Sequence, residues 1–249
     1  MKRLPRVLAL RVLLRSLTVQ GSWNYETLIG TGFAFTMLPV LRYLYPADSE
    51  AFRAALARHT EVFNSHPYLA TVAVGAVSRL EAEGADPVII QRFKSALRGS
   101  LGSIGDQLVW TAWKPATVMV GLALALAGAA WWFVLAVFLL TYNVLHFGLR
   151  AWGLRVGAEC GLEVGRVLRD APVQKIARRS GDLGALCGGF GVVVATANLL
   201  EQSDWNVFAI VCGALAIVAG VRLGTRARLL FGAVLLTAWI LAIVWEWIR

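Results

Sequence analysis

The side chains best able to bind a small polar molecule are concentrated in three stretches of the first half of the chain. These are QGSWNYE (20–26), RHTEVFNSHPY (58–68) and GSLGSIGDQLVW (99–110). Amides, carboxylates and imidazoles exchange hydrogen bonds with hydroxyl groups, and a tryptophan face can cover the C–H side of a sugar ring. The stretches therefore predict one shared site for a polyhydroxylated molecule. The candidate contacts are Gln20, Trp23, Asn24, Asn64, His66, Asp106, Gln107 and Trp110.

The same polar groups could instead cap helices and satisfy one another. Asn64 and Asp106 stand where helix caps belong, so for these two residues capping and binding are equally supported. An ionisable side chain such as Asp106 in a membrane-embedded region has a functional role by default. From the residues alone, the pattern predicts a polytopic membrane protein whose polar site serves transport.

Catalytic and metal-binding signatures are missing from the sequence. It contains no phosphate-binding loop, zinc-protease helix, serine-hydrolase elbow or dinucleotide fingerprint. His59 and His66 are seven residues apart, but Asn64 and Pro67 would break the helix needed to align them on a metal. We therefore expect no catalytic residue, no metal and no cofactor.

The composition favours a membrane protein. Of the 249 residues, 58% are hydrophobic and only 16% are charged, whereas soluble domains have about a quarter charged residues. The net charge of +9 comes from basic residues that flank apolar segments. This distribution suits membrane orientation and anionic lipid better than nucleic acid, which needs a basic face exposed to solvent.

The N-terminal elements are predicted to be short and amphipathic. Residues 4–19 place Arg11 and Arg15 on one helix face, which indicates a basic helix lying at the cytoplasmic interface or docking on a partner. These arginines interrupt any signal-peptide core, so we expect the segment to be retained. The helix after residue 26 should be kinked by Pro39 and ended by Pro46.

The next helix should be capped by Asp48 or Ser49 and stopped by Asn64 and the His66–Pro67 pair. Residues 68–77 are apolar but too short to span a bilayer, so they predict a re-entrant or buried segment.

Three further boundaries are predicted before residue 115. Residues 78–86 (SRLEAEGAD) are predicted to form a polar turn, and a helix should run from Asp86–Pro87 to Gly99. GSLGSIGD should then interrupt regular structure. Asp106 should cap a short helix that ends at Lys114–Pro115.

The C-terminal half carries the membrane-spanning signals. Residues 115–145 are uncharged and too long for one span, which predicts two crossings or a hairpin that turns near Gly128. A basic linker, 148–182, precedes apolar segments near 183–200, 205–221 and 229–247. The positive-inside rule places that linker and the N-terminus in the cytoplasm and the C-terminus outside.

The fold class that follows is an all-α integral membrane protein forming one subunit over 1–249. Region 1–114 carries the amphipathic and re-entrant helices with the polar motifs. Region 115–249 carries several transmembrane helices.

The same motifs resemble the IID membrane component of mannose/fructose/sorbose phosphotransferase-system permeases. The matching stretches run in the family's order over roughly 14–168. They are QGSWNYE, GFAFTMLPVLRYLYP, RHTEVFNSHPY, GSLGSIGDQLVW with Lys114–Pro115, and YNVLHFGLRAWGLRVG. The resemblance implies a bacterial inner-membrane subunit that is not itself phosphorylated. It also implies that Lys114 belongs to the sugar site, and that Gly99, Gly102 and Gly105 form re-entrant hairpin tips.

The resemblance further implies partners. A IIC subunit would form the translocation unit with this chain, in an assembly with several IIC and IID copies. IIB and IIA proteins would relay phosphate from phosphoenolpyruvate to a sugar of the mannose, fructose or sorbose class.

Departures from the family's pattern motivate a second hypothesis. Ser100 replaces a proline, Gly102–Ser103 replaces Ala-Gly, and Lys114 replaces an arginine, which removes any bidentate contact. The alternative function is a divergent scaffold or regulatory subunit that does not transport.

Overall fold

The computed structural model describes residues 5–200, with side chains to residue 195, and these residues are almost entirely helical. They form nine α-helices: α1 (Arg6–Ser16), α2 (Gly30–Leu44), α3 (Glu50–Thr60), α4 (Ala70–Ala82), α5 (Pro87–Gly105), α6 (Lys114–Leu126), α7 (Trp131–Cys160), α8 (Val164–Asp170) and α9 (Val173–Leu200). A π-helix, Asp106–Trp113, joins α5 to α6, and a 3₁₀ turn, Gly161–Glu163, follows α7. The predicted helical class is confirmed for the described residues.

The chain divides into two compact units. Of the described residues, one unit contains 5–114 together with Leu139–Arg179. The other contains Pro115–Phe138 and 180–200. Every polar stretch predicted to form the site lies in the first unit.

Local sequence rules account for several helix ends. The Ser49 hydroxyl accepts a hydrogen bond from the Phe52 amide at 3.1 Å, so Ser49 is the cap of α3. The Asp86 carboxylate accepts from the Val88 amide at 2.7 Å, and Pro87 is the first residue of α5. Both caps confirm the sequence prediction.

Pro39 lies inside α2, and the helix continues past it to Leu44 before Pro46. Because proline has no amide hydrogen, the Phe35 carbonyl four residues earlier loses its helical donor. The Arg15 guanidinium supplies a replacement by donating to that carbonyl at 3.1 Å. The cation therefore joins α1 to α2 at the point where Pro39 weakens the helix.

Helix α4 is buried on almost all sides and forms the centre of the first unit. A helix that is apolar all round belongs in a core, and α4 is rich in alanine and valine. Small residues let its neighbour α7 approach closely. A Cβ built on Gly157 would lie 2.1 Å from the Val72 carbonyl oxygen, and one on Gly75 would lie 2.3 Å from that of Leu154. The two backbones touch, as in small-residue packing between membrane helices.

The predicted turn over residues 78–86 is wrong in its first half. Helix α4 continues to Ala82, and the turn is confined to the four residues before Pro87, with Gly84 at a φ of +68°. The polar side chains that suggested a turn are satisfied inside the protein. Ser78 donates to the Val74 carbonyl at 2.6 Å, and Glu81 binds side chains from two other helices.

The predicted break at GSLGSIGD is also wrong. Helix α5 runs through Gly99 and Gly102 to Gly105 and passes directly into the π-helix. Asp106 has helical dihedral angles, so it does not cap a new helix, and the chain stays helical through Lys114. The physical reason lies in packing, since Gly105 makes room for a neighbouring side chain rather than ending the helix. Hairpin tips at these glycines are therefore not part of the structure.

The second unit contains a turn where the sequence predicts one. Helices α6 and α7 are joined by a turn in which Gly128 has a φ of +81°, a conformation that favours glycine. This confirms the predicted turn. Helix α9 packs on α6, where a Cβ built on Gly184 would lie 3.1 Å from the Ala116 Cα.

The basic stretch 148–182 is helical. Its first part belongs to α7, where Leu149 and Leu154 are buried in the core of the first unit. The apolar segments near 205–221 and 229–247, and the C-terminus, lie outside the described residues.

Among the described residues, two helical stretches carry an 18-residue window apolar enough to cross a bilayer. They are Pro87–Leu126 and Trp131–Ala195, and only 6% of the window in the second is buried within the protein. An apolar surface left uncovered over that length is suited to lipid.

The contact between α4 and α7 gives a testable prediction. Gly157→Ala should lower the free energy of unfolding by about 3 kcal/mol, because the added methyl group overlaps the backbone of α4. The measurement is the thermal unfolding midpoint of the detergent-solubilised protein.

Gly148→Ala is the matched control on the same helix. A Cβ there meets no atom within 4 Å, so this change should be neutral or stabilise by up to about 1 kcal/mol. Equal midpoints for the two variants would contradict the close packing of the helices.

Candidate functional site

One group of buried and half-buried polar side chains surrounds the Glu81 carboxylate. We call Tyr45, Arg58, His59 and Glu81 the Glu81 cluster. The Tyr45 hydroxyl donates to Oε2 at 2.5 Å, and Arg58 donates through Nε to Oε1 at 2.7 Å and through Nη2 to Oε2 at 2.6 Å. The His59 Nε2 lies 2.8 Å from Oε1. The carboxylate therefore joins the end of α2 and the last turns of α3 to α4.

The protonation of the Glu81 cluster follows from these contacts. Burial pushes the pKa of Glu81 upward, but hydrogen bonds from His59, Arg58 and Tyr45 outweigh burial and lower the pKa to about 2. Burial lowers the pKa of His59 despite the opposing bond to Glu81. The imidazole is thus neutral, with its hydrogen on Nε2, and the carboxylate is ionised. Burial also raises the pKa of Tyr45 to about 12, so it remains a donor.

Lys94 of α5 extends this arrangement. Its ammonium group is buried, donates to the Arg58 carbonyl at 2.6 Å and lies 5.2 Å from the centre of the Phe33 ring. The Arg58 carbonyl is in the last turn of α3, where carbonyls have no helical donor. A cation at a helix C-terminus also suits the helix dipole. Lys94 therefore stabilises the last turn of α3, where the second polar stretch begins.

A second group combines aromatic rings with histidines. We call His66, Tyr68, Trp110 and His146 the aromatic cluster. The centre of the His66 ring lies 4.9 Å from that of Tyr68 and 5.2 Å from that of Trp110. Tyr68 is stacked on His146 at 4.2 Å. The loop before α4 is thus packed between the π-helix and α7.

Two further residues of α7, Arg150 and Tyr142, form hydrogen bonds to this cluster. The Arg150 Nε donates to the His146 Nε2 at 2.9 Å, and its Nη1 donates to the Ser16 carbonyl at the end of α1. The hydroxyl groups of Tyr68 and Tyr142 are 2.6 Å apart and share a hydrogen bond. A buried guanidinium needs such partners, because an uncompensated charge in the core is costly.

The hydrogen-bonding state of His66 can be read from its surroundings. The Tyr68 amide donates to His66 Nδ1 at 3.2 Å, which leaves the ring hydrogen on Nε2. Burial lowers the pKa of His66 to about 4, so the ring is neutral. Nε2 is buried and has no hydrogen-bond partner among the described residues. His66 therefore offers a free donor beside Trp110, whose indole is 42% exposed.

The structure brings together part of the predicted site. His66 and Trp110 are in contact, and the Lys114 ammonium lies 5.0 Å from the centre of the Trp110 ring. A Cβ built on Gly105 would lie 2.1 Å from the His66 Cβ, so this glycine lets α5 approach the histidine. Gly102 faces Ser65, whereas Gly99 has open space around it.

The remaining predicted residues lie at or near the surface. Asp106 and Gln107 are exposed on the π-helix, which is a rare form often found at functional sites. Asn64 is exposed and does not end α3, which stops at Thr60. Gln20 and Trp23 are exposed on the loop before α2.

The segment that follows the first polar stretch is joined to the second stretch by backbone hydrogen bonds. The Ile29 amide donates to the Phe63 carbonyl at 3.0 Å, and the Phe63 amide donates to the Thr27 carbonyl at 3.2 Å. Asn24 organises the loop itself, since its side-chain oxygen accepts from the amides of Glu26 and Thr27 at 2.9 and 2.8 Å. Which of the predicted residues contact a sugar stays a prediction.

Sequence reasoning missed Glu81, Tyr68 and Arg150. A signal was available for α7, because His146 and Arg150 are four residues apart and must share a helix face. No comparable signal marks Glu81, whose partners lie 22 to 36 residues away. Across residues 5–200, no three metal-ligating side chains come close enough to hold an ion.

The helical fold and the two apolar helical stretches of the described residues are those of a helical membrane protein. A sequence model of the "PTS system mannose/fructose/sorbose family IID component" matches residues 4–199. The chain belongs to this family of phosphotransferase-system membrane components.

Named relatives agree with this assignment. The chain is 33% identical over 183 residues to the mannose-specific EIID component of Escherichia coli K12, covering 72% of this chain and 64% of that protein. It is 30% identical over 193 residues to the fructose permease IID component of Bacillus subtilis, covering 76% and 69%. The sorbose-specific EIID component of Klebsiella pneumoniae is 32% identical over 181 residues, covering 71% and 65%. The match thus spans just under two thirds of the mannose- and sorbose-specific relatives.

Solved structures share the fold. A structure of the mannose transporter ManYZ in complex with microcin E492 contains a chain that superposes with a TM-score of 0.60 at 24% identity. The superposition covers 98% of this chain and 97% of that one. A second structure, described as a membrane protein, gives a TM-score of 0.69 at 24% identity.

The Glu81 cluster gives a second prediction. Glu81→Gln should lower the free energy of unfolding by about 3 kcal/mol. Arg58 loses its ion pair, and the new side-chain NH₂ group stands where a carboxylate oxygen accepted hydrogen bonds. The thermal midpoint in detergent measures the loss.

The matched control is Glu83→Gln at the end of the same helix. Glu83 pairs with Arg79 at 2.8 Å on the surface, so its loss should cost less than about 1 kcal/mol. A similar loss for both variants would show that the cluster contributes no more than a surface pair.

His66 predicts a dependence of stability on pH. Its pKa is about 4 in the folded protein and about 6.5 when unfolded, so the unfolded chain binds more protons between these values. Stability should therefore fall as the pH drops below 6.5, by about 2 kcal/mol at pH 5 from this group.

His66→Asn provides the comparison, since the amide oxygen can accept from the Tyr68 amide as Nδ1 does. Thermal midpoints from pH 7 to pH 5 should fall less steeply for the variant than for the parent protein. Parallel curves would refute the assignment of this titration to His66.

Proposed function

We propose that this protein is an integral membrane subunit of a phosphoenolpyruvate-dependent sugar permease of the mannose, fructose or sorbose class. The observation that carries the proposal is the family match across residues 4–199, in a chain whose helices are apolar enough to span a membrane. With a IIC subunit it forms the path along which a hexose-type sugar crosses the inner membrane. IIB and IIA proteins supply the phosphoryl group, and this chain carries no phosphorylation site of its own.

The aromatic cluster supplies the sugar-binding chemistry in this proposal. The indole of Trp110 offers an amphipathic face to a sugar ring, and the neutral His66 offers a buried donor to a hydroxyl group. The Lys114 ammonium lies beside that indole and supplies a further hydrogen-bond donor for a sugar hydroxyl group. Because sugars are neutral and amphipathic, one aromatic face with a few donors matches them better than a charged pocket.

The exposed polar residues on the π-helix complete one half of the site. Asp106 and Gln107 point away from the core, and no other described element covers them. The other half is contributed by the IIC subunit, in an assembly with several copies of each chain. The site residues therefore act both in sugar contact and in contact between subunits.

The orientation in the membrane follows from charge. The basic stretch 148–182 and the N-terminus lie in the cytoplasm, as the positive-inside rule requires, and the chain crosses the bilayer several times to an external C-terminus. The phosphorylating proteins are cytoplasmic, so the sugar is released on the side where the basic residues lie.

The test is reconstitution of uptake with the IIC, IIB and IIA proteins of the same organism. Mannose, fructose and sorbose are supplied as labelled sugars, and uptake should depend on phosphoenolpyruvate. Trp110→Ala should lower uptake at limiting sugar about tenfold, because an aromatic face contributes about 1 kcal/mol and its polar neighbours lose their alignment. Co-purification with IIC should be unchanged.

Trp131→Ala is the matched control, since this tryptophan is 78% exposed and belongs to the second unit, whereas the aromatic cluster belongs to the first. It should leave uptake unchanged. If the assembled complex neither binds nor takes up any of these sugars, transport is refuted. A non-transporting scaffold, as the substitutions at Ser100 and Lys114 suggested, would then be the function.

A further inference from the structure

A groove between α1 and α2 is lined by three arginines. We call Arg11, Arg15 and Arg42, together with Leu14 and Pro39, the arginine groove. Its volume is about 380 Å³, and no acidic side chain lines it. Like charges gathered in one concavity repel one another, so the arrangement favours a bound anion.

One of the three arginines is fixed in place. Arg15 donates to the carbonyl that Pro39 leaves without a donor, and its guanidinium lies 4.3 Å from the centre of the Phe35 ring. Arg11 and Arg42 form no hydrogen bond or ion pair with any described residue. The groove thus combines one positioned cation with two whose donors are available to a ligand.

The outer face of α1 is apolar beside this groove. Its exposed hydrophobic residues recur at intervals of three and four, so they form one stripe, and each is 42–66% exposed. They are Val7, Leu10, Leu14 and Leu17. The buried residues of the same helix, Leu8 and Val12, point the opposite way into the core. A helix with an exposed apolar stripe flanked by arginines is suited to the interface of a bilayer.

We propose that the arginine groove binds the phosphate of an anionic phospholipid headgroup, with the acyl chains along the outer stripe of α1. Arginine matches phosphate oxygens through paired N–H donors and stays charged at the interface. Leu14 belongs to both the groove and the stripe, so the anionic and apolar parts of the ligand meet at one residue. Free phosphate would leave the stripe uncovered. This proposal does not rest on sugar transport.

The test uses the protein purified with its membrane partners in detergent. Native mass spectrometry counts bound phosphatidylglycerol and phosphatidylcholine with identical acyl chains. Phosphatidylglycerol should bind more tightly. Because one cation at a membrane surface contributes about a fivefold change, the double variant Arg11→Gln/Arg42→Gln should weaken phosphatidylglycerol binding roughly thirtyfold. Phosphatidylcholine binding should change far less.

The matched control removes the same charge elsewhere. Arg53 and Arg92 are exposed on α3 and α5, and Arg53→Gln/Arg92→Gln should leave phosphatidylglycerol binding within about twofold. An equal loss in both double variants would overturn the proposal in favour of a general charge effect. The thermal midpoint of each variant shows that the fold is retained.

Two further measurements distinguish a lipid headgroup from free phosphate and from a protein partner. If inorganic phosphate displaces phosphatidylglycerol, and a six-carbon-chain phosphatidylglycerol binds as tightly as the long-chain lipid, the groove is a free-anion site and the proposal fails. If the groove variant releases a partner subunit while lipid binding is unchanged, the groove is a protein-docking site and the proposal also fails.

Discussion

The carboxylate of Glu81 is the constraint on which the first unit depends. A charge this deeply buried is tolerated only when its oxygens are saturated with donors, and Glu81 accepts from Tyr45, Arg58 and His59. Those donors come from the end of α2 and the last turns of α3. Satisfying the carboxylate therefore fixes where α3 ends, and α3 delivers the chain to Phe63 and His66. The position of the aromatic cluster is a consequence of a charge that lies outside it.

Glycine makes the same unit compact. Gly75, Gly153 and Gly157 remove the side chains that would hold α4 and α7 apart, and Gly105 does the same between α5 and His66. Such contacts gain dispersion energy over many atoms without needing large apolar side chains. In a protein surrounded by lipid this matters, since lipid is as apolar as leucine and gives helices little hydrophobic reason to associate.

The sequence predicted correctly those structural features that a few neighbouring residues determine. The helical class, the caps at Ser49 and Asp86 and the turn at Gly128 depend on a few neighbouring residues, and each was correct. The glycines of GSLGSIGD predict a break because isolated glycine weakens a helix, but the packing of Gly105 against His66 outweighs that propensity. Whether such a glycine ends a helix depends on what packs against it in the folded protein. The spacing of residues along the chain does not reveal that contact.

The candidate site was predicted in its composition more than in its arrangement. His66, Trp110 and Lys114 do meet, as the grouping of polar stretches suggested. The residues that contact them from α7 could not be predicted, because Arg150 lies 84 residues after His66. A charged residue that is buried in a largely apolar helix needs polar partners, but the sequence does not say which residues those are.

The hydrogen bond from Arg150 to the Ser16 carbonyl spans 134 residues of chain. During synthesis, α1 emerges from the ribosome long before Arg150, whereas α2 follows α1 directly and supplies an early packing surface for it. The hydrogen bond from Arg150 to Ser16 can form only after the middle of α7 has been made. Translation therefore separates the two attachments of α1 in time: its partner α2 is available early, and its partner α7 is available late.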